Sequence, residues 1–348
     1  RLEQEDPDRG ANVLRYRTND EDQRDGPPRN PSHRHSHPSS TAEPAAAASP
    51  PTLKGTINGM ELPDVATARR QIGRALFGIV AGPEGPANRA RIHNTPGPRW
   101  FSEDRPVRRV HRDASMFVGG LSALLLQSLH PLAMAGVAQH SDYRGDPWGR
   151  LARTSTFLAV TTFGTSGDAQ RAVDRVRGIH TRVRGTSADG RTYRASDPHL
   201  LEWVHIAEVH SFLLAHQLYG AAPLDQQGRD DYVADTARVA MALGVPSPPR
   251  TEQQLNERIA AYRPELMSTA AAREAARFLL LTPPLPLIAR APYAVLAAAS
   301  VAMLPPWART PLRLPHLPPV EVTVVRATGR ILVGGIRWAL AANPDPAV

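Results

Sequence analysis

From Ala114 to Ala138 the chain carries no charged side chain. A run of this length and apolarity either lies inside protein or crosses a membrane. Gln127, His130 and Pro131 stand in its middle, and Gly119 and Gly120 near its start. Polar groups so placed favour a helix buried in protein, beside a cavity, over one facing lipid. The run is therefore expected to be a core helix.

The chain has 348 residues, 41% of them apolar, enough for a real core. Its charge of +8 rests on arginine, because Lys54 is the one lysine among 41 basic residues. That excess reads first as a bias of composition. Arginines scattered among apolar segments, without a lysine-rich or aromatic-interleaved stripe, make a poor nucleic-acid footprint, so no nucleic-acid partner is expected. With no cysteine present, disulfides, iron–sulfur clusters, thiolate haem ligation and cysteine zinc sites are all excluded. Any metal must be held by histidine, carboxylate or another oxygen donor.

Residues 1 to 58 are charged and proline-rich and include "HRHSH" at His33, His35 and His37. That composition cannot bury enough apolar surface to offset ordering, so a disordered tail is expected, its histidines holding metal only adventitiously. "ARRQIGRALFGIVAG" at 68 to 82 pairs two arginines with an apolar run. The run is short, broken by glycine and internal, which favours an amphipathic helix opening at Asp64 over an export signal. The expected location is accordingly cytoplasmic, with membrane contact where an apolar substrate dissolves.

Helix starts are marked by Asp146-Pro147, for a helix to about 162, and by Asp197-Pro198, for one ending at Gly220. A helix from near Asp168 to Arg184, stopped by Gly185, lies between them, followed by a polar turn or small hairpin around Asp189-Gly190. Further helices are expected over 226 to 243, over 252 to 262 behind the Thr251/Gln254 capping box, and over 269 to 281, 286 to 304 and 320 to 341. The sum is one all-α domain from 60 to 343, without a phosphate-binding glycine loop or internal repeat.

In "VRGIHTRVRG" the helical spacing i, i+3, i+7 would put Arg177, His180 and Arg184 on one face. An imidazole flanked by guanidiniums suits a haem edge, with iron on the ring nitrogen and propionates on the arginines. The same residues also suit any helix C-terminus, where cations meet the dipole favourably. If the two preceding helices form an antiparallel hairpin, Arg150, Arg153 and Thr154 share the His180 end.

"GGLSALLLQSLHPLAMAGVAQHSDYRGDPWGRLARTSTFLAVTTFG", "VRGIHTRVRG", "YRASDPHLLEWVH" and "LGVP", in that order, resemble the catalytic domain shared by latex clearing proteins (rubber oxygenases) and MpaB-type oxygenases. The resemblance is close over 115 to 246 and looser over 70 to 340. It implies a helical fold with a globin-like core, haem b, and an R-x-x-H-x-x-x-R motif that falls on Arg177, His180 and Arg184, with His180 as proximal ligand to iron. It also implies an R-x-x-K-T motif, met here by Arg150, Arg153 and Thr154. Arginine thus stands where the family has lysine, and a guanidinium scarcely coordinates iron. No glutamate stands in the charge-free run, where the family's distal base would fall, which leaves His130 or Gln127 as substitutes. His140 and Asp142 are expected to brace the loop before Pro147.

The implied activity is that of an oxidoreductase using O2 on an apolar small-molecule or polymeric substrate, by oxidative cleavage of a carbon–carbon double bond. Two rivals remain. Glu202 and His205 form the E-x-x-H spacing of non-haem di-iron bundles, but no second copy exists, so both are expected to be structural, and His199, His210 and His216 to be ordinary helix-surface or boundary histidines. The apolar tail at 283 to 306, with Arg290 and Tyr293 at an interface, would suit a non-catalytic membrane-surface or scaffold protein.

Overall fold

The computed structural model describes residues 64 to 342, together with a two-residue antiparallel pair, β1 (Thr56–Ile57) and β2 (Met60–Glu61). Apart from β1, the tail expected over residues 1 to 58 lies outside the described residues. The body is all-α, as the periodicity and caps predict. Its first helices are α1 (Val65–Ala81), α2 (Gly85–Asn94) and α3 (Pro106–Arg112). Asp64 caps α1 by accepting from Thr67 N at 2.6 Å.

The charge-free run is two helices rather than one: α4 (Met116–Gln127) and α5 (Pro131–His140), bent by 107° at the break between them. Pro131 lacks an N–H and takes the first position of a new helix, and His130 becomes its N-cap, with Ala133 N 3.5 Å from Nδ1. Among the described residues no single helix is long and apolar enough to cross a membrane. Most of α4 is buried in protein.

Two helices then form the expected hairpin: α6 (Pro147–Phe163) and α7 (Ser166–His180), joined through Gly164 and Thr165. α7 differs from expectation at both ends. Thr165 Oγ1 accepts from Asp168 N at 3.1 Å and starts the helix early. At the other end, Val183 O accepts from Ala195 N at 2.9 Å, and Arg184 enters a strand, so the helix stops at His180. β3 (Arg184–Thr186) pairs antiparallel with β4 (Thr192–Arg194) around a turn in which Gly190 has φ 86°. Gly185 is therefore not a helix stop. It passes beneath Tyr193, whose hydroxyl would lie 2.6 Å from any Cβ there.

α8 (Pro198–Tyr219) follows, then α9 (Gln226–Leu243), closed by Gly244 at φ 116°, and α10 (Glu252–Tyr262), which leads into the 3₁₀ turn Arg263–Glu265. The chain continues through α11 (Ala270–Leu281), α12 (Leu287–Met303), α13 (Pro306–Leu312) and α14 (Pro318–Val320), then a π turn, Glu321–Val325, into α15 (Arg326–Leu340). Short helices α2, α3 and α13 have no counterpart in the sequence reading. Each carries proline in its first turn, and the sequence signal of proline is the same for a helix start as for a loop.

The core is built on α8 against α4. Trp203, Ile206, Phe212 and Leu213 pack with Leu125, Leu126 and Leu129, and Trp203 Nε1 donates to Gln127 O at 3.1 Å. α12 and α15 close the other side of this pair through Leu296, Ala299, Val333 and Ile336. Arginines fasten chain ends to the core through backbone oxygens. Arg99 donates to the carbonyls of Ile92 at 2.9 Å, His93 at 3.1 Å, Thr95 at 3.2 Å and Phe163. Arg309, 4% exposed, donates to Leu304 O, Ala302 O and Glu321 Oε1.

The close approach of α4 to α8 yields a paired prediction. A Cβ on Gly119 would lie 2.9 Å from Phe212 Cδ1 and 3.1 Å from Ala215 Cβ, whereas one on Gly120 would meet Phe212 no closer than 3.9 Å. In urea titrations Gly119→Ala should lose about 1–3 kcal/mol of stability through overpacking. Gly120→Ala should be neutral or gain up to about 1 kcal/mol from helix propensity.

Candidate functional site

α8 packs against α4, α5, α9, α10, α12 and α15, and the α6–α7 hairpin packs against α1, α2, α3 and α9. α3 and α9 touch both groups and hold them side by side. One face of α8 is turned into the space between, with Leu201, His205, Glu208 and Phe212 in register at i, i+4, i+7 and i+11. The direction of that face is fixed at its far end. Phe212 meets the His111 ring at 5.7 Å, and His111 Nδ1 lies 2.8 Å from Thr162 Oγ1 near the end of α6. His111 Nε2 lies 3.3 Å from the Tyr232 hydroxyl of α9.

His205 and Glu208 are set deep in the body but only half covered, which marks the face of a hollow rather than a packed core. Neither makes a hydrogen bond or ion pair among the described residues, and His205 Nε2 is a buried nitrogen without a partner. Burial alone pushes the Glu208 carboxyl up to about 7 and pulls His205 and His111 down to about 4. The Tyr232 hydroxyl is held far above its ordinary value by the same burial, with Glu208 and Asp235 adding to it. Near neutral pH the lining thus carries little charge: two neutral imidazoles, a phenol and a carboxyl divided between acid and base forms.

The opposite end of the hairpin carries the residues singled out by sequence. Arg150 stands in the first turns of α6 and His180 at the last position of α7, so the antiparallel hairpin brings them to one level. His180 is half-buried, makes no hydrogen bond or ion pair among the described residues, and is held below its ordinary pKa by burial. Arg150 is deeply set, donates only to Ser141 Oγ and has no carboxylate partner among the described residues. Its neighbours in the motif face outward: Arg153 pairs with Asp146 at 3.1 Å, and the Thr154 hydroxyl returns to Arg150 O at 3.1 Å. Arg177 and Arg184 are exposed. The expected common helical face of Arg177, His180 and Arg184 is not formed, because Arg184 belongs to β3.

His130 lies in a separate cluster. It is 2% exposed, and its ring neighbours are His199 at 6.1 Å, Trp203 at 6.3 Å and Tyr262 at 6.4 Å. Neither Arg150 nor His180 is among its hydrogen-bond, ion-pair or ring partners. Two expectations are corrected here, those for His216 and Tyr293, and the rival di-iron reading loses its basis. Glu202 and His205 do not share a metal site, because Glu202 is occupied by the Tyr262 hydroxyl at 3.0 Å and Arg258 at 3.4 Å. His216 is a core residue at 1% exposure, not a surface one. Tyr293 is not at an interface, since its hydroxyl is bound to Leu279 O at 2.5 Å. Asp142 does brace its loop, accepting from Gly145 N at 2.9 Å. A surface cleft of about 420 Å³ lined by Leu129, Arg263, Leu266 and Trp307 offers no acid–base pair.

The residues missed by sequence reasoning are Glu208, His111 and Tyr232. The available signal for Glu208 was its place seven residues after Leu201 on a helix whose other faces are apolar.

The family model described as "ER-bound oxygenase mpaB/B'/Rubber oxygenase, catalytic domain" matches residues 108–338, from α3 to α15 and so across every helix that lines the hollow. Two curated proteins, the uncharacterized proteins Mb2261 of Mycobacterium bovis and Rv2237 of Mycobacterium tuberculosis, are each 36% identical to the chain over 101 residues. Those residues are 29% of this chain and 39% of the relatives, so the chain spans about two fifths of their length. No solved structure matches.

The lining predicts a pH signature with opposite signs. Glu208, raised in the folded state from 4.5 to about 7, keeps its proton when the unfolded chain has lost it. Stability should therefore fall as pH rises from about 5 to 7, by up to about 3 kcal/mol, and Glu208→Gln should remove that slope. His205, lowered from 6.5 to about 4, stays neutral when the unfolded chain is protonated. Stability should fall again as pH drops from 6.5 towards 4, and His205→Gln should reduce that limb without abolishing it, because His111 is lowered to about 4 as well. Urea unfolding across pH reads both. An unaltered profile in Glu208→Gln would mean that the carboxyl is hydrated as at a surface.

Proposed function

The chain belongs to the family of mpaB/B' and rubber oxygenase catalytic domains, and from that membership we propose that it is an oxygenase acting with O2 on an apolar, unsaturated substrate of isoprenoid or lipid-like kind, with haem b as cofactor. The observation that carries this reading is Arg150, a deeply set guanidinium with no carboxylate beside it. A buried charge without a counter-charge is costly, and a bound anion such as a haem propionate relieves it through paired N–H donors. At the same end of the hairpin, His180 presents an imidazole that burial keeps neutral and that no neighbour engages. The pair suits haem b: His180 would ligate the iron and Arg150 would pair with a propionate carboxylate, with the exposed Arg177 and Arg184 available to the second.

When bound, the haem would supply iron with an open position at which dioxygen is activated. The chain's own residues supply the rest. Leu201, partly exposed on the same face as His205, gives the hollow an apolar wall, suited to a hydrocarbon and poor for water. Glu208, poised near neutrality, gives or takes a proton at its carboxyl, the task expected of the base absent from the charge-free run. Thr162, His111 and Tyr232 form a hydrogen-bonded chain that holds the far wall in place. Oxidative cleavage of a carbon–carbon double bond is the reaction we assign to this pocket.

Pyridine haemochrome assay of the purified chain should give about one haem b per chain, with His180→Ala retaining roughly a tenth or less and Arg150→Ala binding haem roughly 10- to 100-fold more weakly. Equal haem in His180→Ala would move the ligand elsewhere, His205 first. A chain that binds no haem would end the haem reading.

A further inference from the structure

The geometry points to a divalent-metal site, separate from the hollow and independent of the haem reading, formed by His130, His199 and Glu265. The three come from distant parts of the chain. His130 caps α5 at the 107° bend, His199 is the second residue of α8, and Glu265 ends the 3₁₀ turn after α10. One ligand atom from each lies within 4.8 Å of the other two. His199 Nε2 is 3.0 and 2.8 Å from the two Glu265 oxygens, and His130 Nε2 is 3.6 Å from Oε2.

Two further observations indicate that a cation belongs between them. First, His130 is 2% exposed, and its Nε2, directed at Glu265, is a buried nitrogen with no hydrogen-bond partner. Second, the proton count around Tyr262 assigns a His199 ring proton to Nδ1 and leaves Nε2 as the nitrogen that faces the Glu265 carboxylate. The Tyr262 hydroxyl lies 2.8 Å from His199 O, 3.0 Å from Glu202 Oε2 and 3.1 Å from His199 Nδ1. It has one proton, and the carbonyl and the carboxylate are both acceptors. With that proton given to either, Nδ1 must donate to the phenol oxygen, so neutral His199 carries its lone pair on Nε2. The 2.8 Å approach of Nε2 to the carboxylate is then bridged either by a second ring proton or by a metal ion that takes that proton's place. Glu202, Tyr262 and His199 then form an outer chain of the sort that orients a metal-bound imidazole. The Ala133 amide, 3.5 Å from His130 Nδ1, is a stretched cap that the ring gives up when its own proton moves to Nδ1.

Two imidazoles and one carboxylate are the donor set of open zinc sites, and His199 and Glu265, both about half exposed, leave coordination positions towards solvent. The same set can take iron(II). Zinc is the occupant assigned here. Bound there, it would tie the start of α8, the α4–α5 bend and the end of α10 together.

The test uses the full chain with His33, His35 and His37 replaced by serine, so that the N-terminal tract cannot bind. After treatment with chelator and dialysis, zinc is titrated calorimetrically and counted by elemental analysis, with iron(II) as a second titrant. Expected are one zinc per chain and a higher melting temperature with zinc. The equivalent should be lost in His199→Ala and in Glu265→Gln, both at exposed positions that the fold tolerates, and affinity should fall roughly 10- to 100-fold in Tyr262→Phe. No zinc bound to the tail-substituted chain, iron(II) bound in its place, or an equivalent undiminished in both variants, would overturn the assignment. Haem content is read by a different assay, so failure here and failure of the haem reading are distinguishable.

Discussion

The structure depends on the unequal treatment of the faces of α8. Towards α4 the helix is pressed so closely that glycine is needed at position 119, and Trp203 bonds to the backbone of its neighbour. Towards the α6–α7 hairpin the same helix keeps its distance, because α3 and α9 are wedged between the two. Apolar burial on the first face anchors α8, which lets the second carry an unpartnered histidine and a carboxyl. Groups like these cost stability wherever they lie without partners. They are tolerated because the tight face offsets them.

The charge state of the hollow follows from the same arrangement. Histidine and carboxyl groups that would be charged in water are driven towards neutrality, so the lining keeps hydrogen-bonding capacity without strong fields. At the opposite end of the hairpin the guanidinium of Arg150 cannot discharge at any accessible pH and stays a fixed positive charge.

Much of the fold was legible because caps are local. Asp146, Asp197 and Thr251 each precede a helix whose bounds follow from the next few residues, and the Asp189-Gly190 turn is a short-range signal for the β3–β4 hairpin. The ends of α7 were not legible, because its termination depends on Val183 being claimed by Ala195 from beyond the turn. Within the site, Arg150 and His180 came to one level because hairpin arithmetic needs only helix lengths. Which arginines turn inward was hidden, since Arg150 and Arg153 differ by less than one turn and only the tertiary surroundings separate them. Glu208 was hidden for another reason: its neighbours His205 and Glu202 suggested a metal motif, and the packing sends those two to different partners. The cluster of His130, His199 and Glu265 spans 135 residues of sequence, and no spacing rule reaches across it.

The arginine excess, read from composition as bias, acquires a use in the carbonyl-capping guanidiniums. Arg99 gathers four backbone oxygens and Arg309 two, while Arg69 and Arg330 each take one more from Trp338 and Leu218. A planar fork of five N–H groups can bridge carbonyls spread over a wider span than the three donors on the single nitrogen of a lysine ammonium can reach. Because these are short contacts between a charge and fixed dipoles, some of them shielded from solvent, a rise in ionic strength that loosens exposed acid–base pairs would leave much of this scaffold in place.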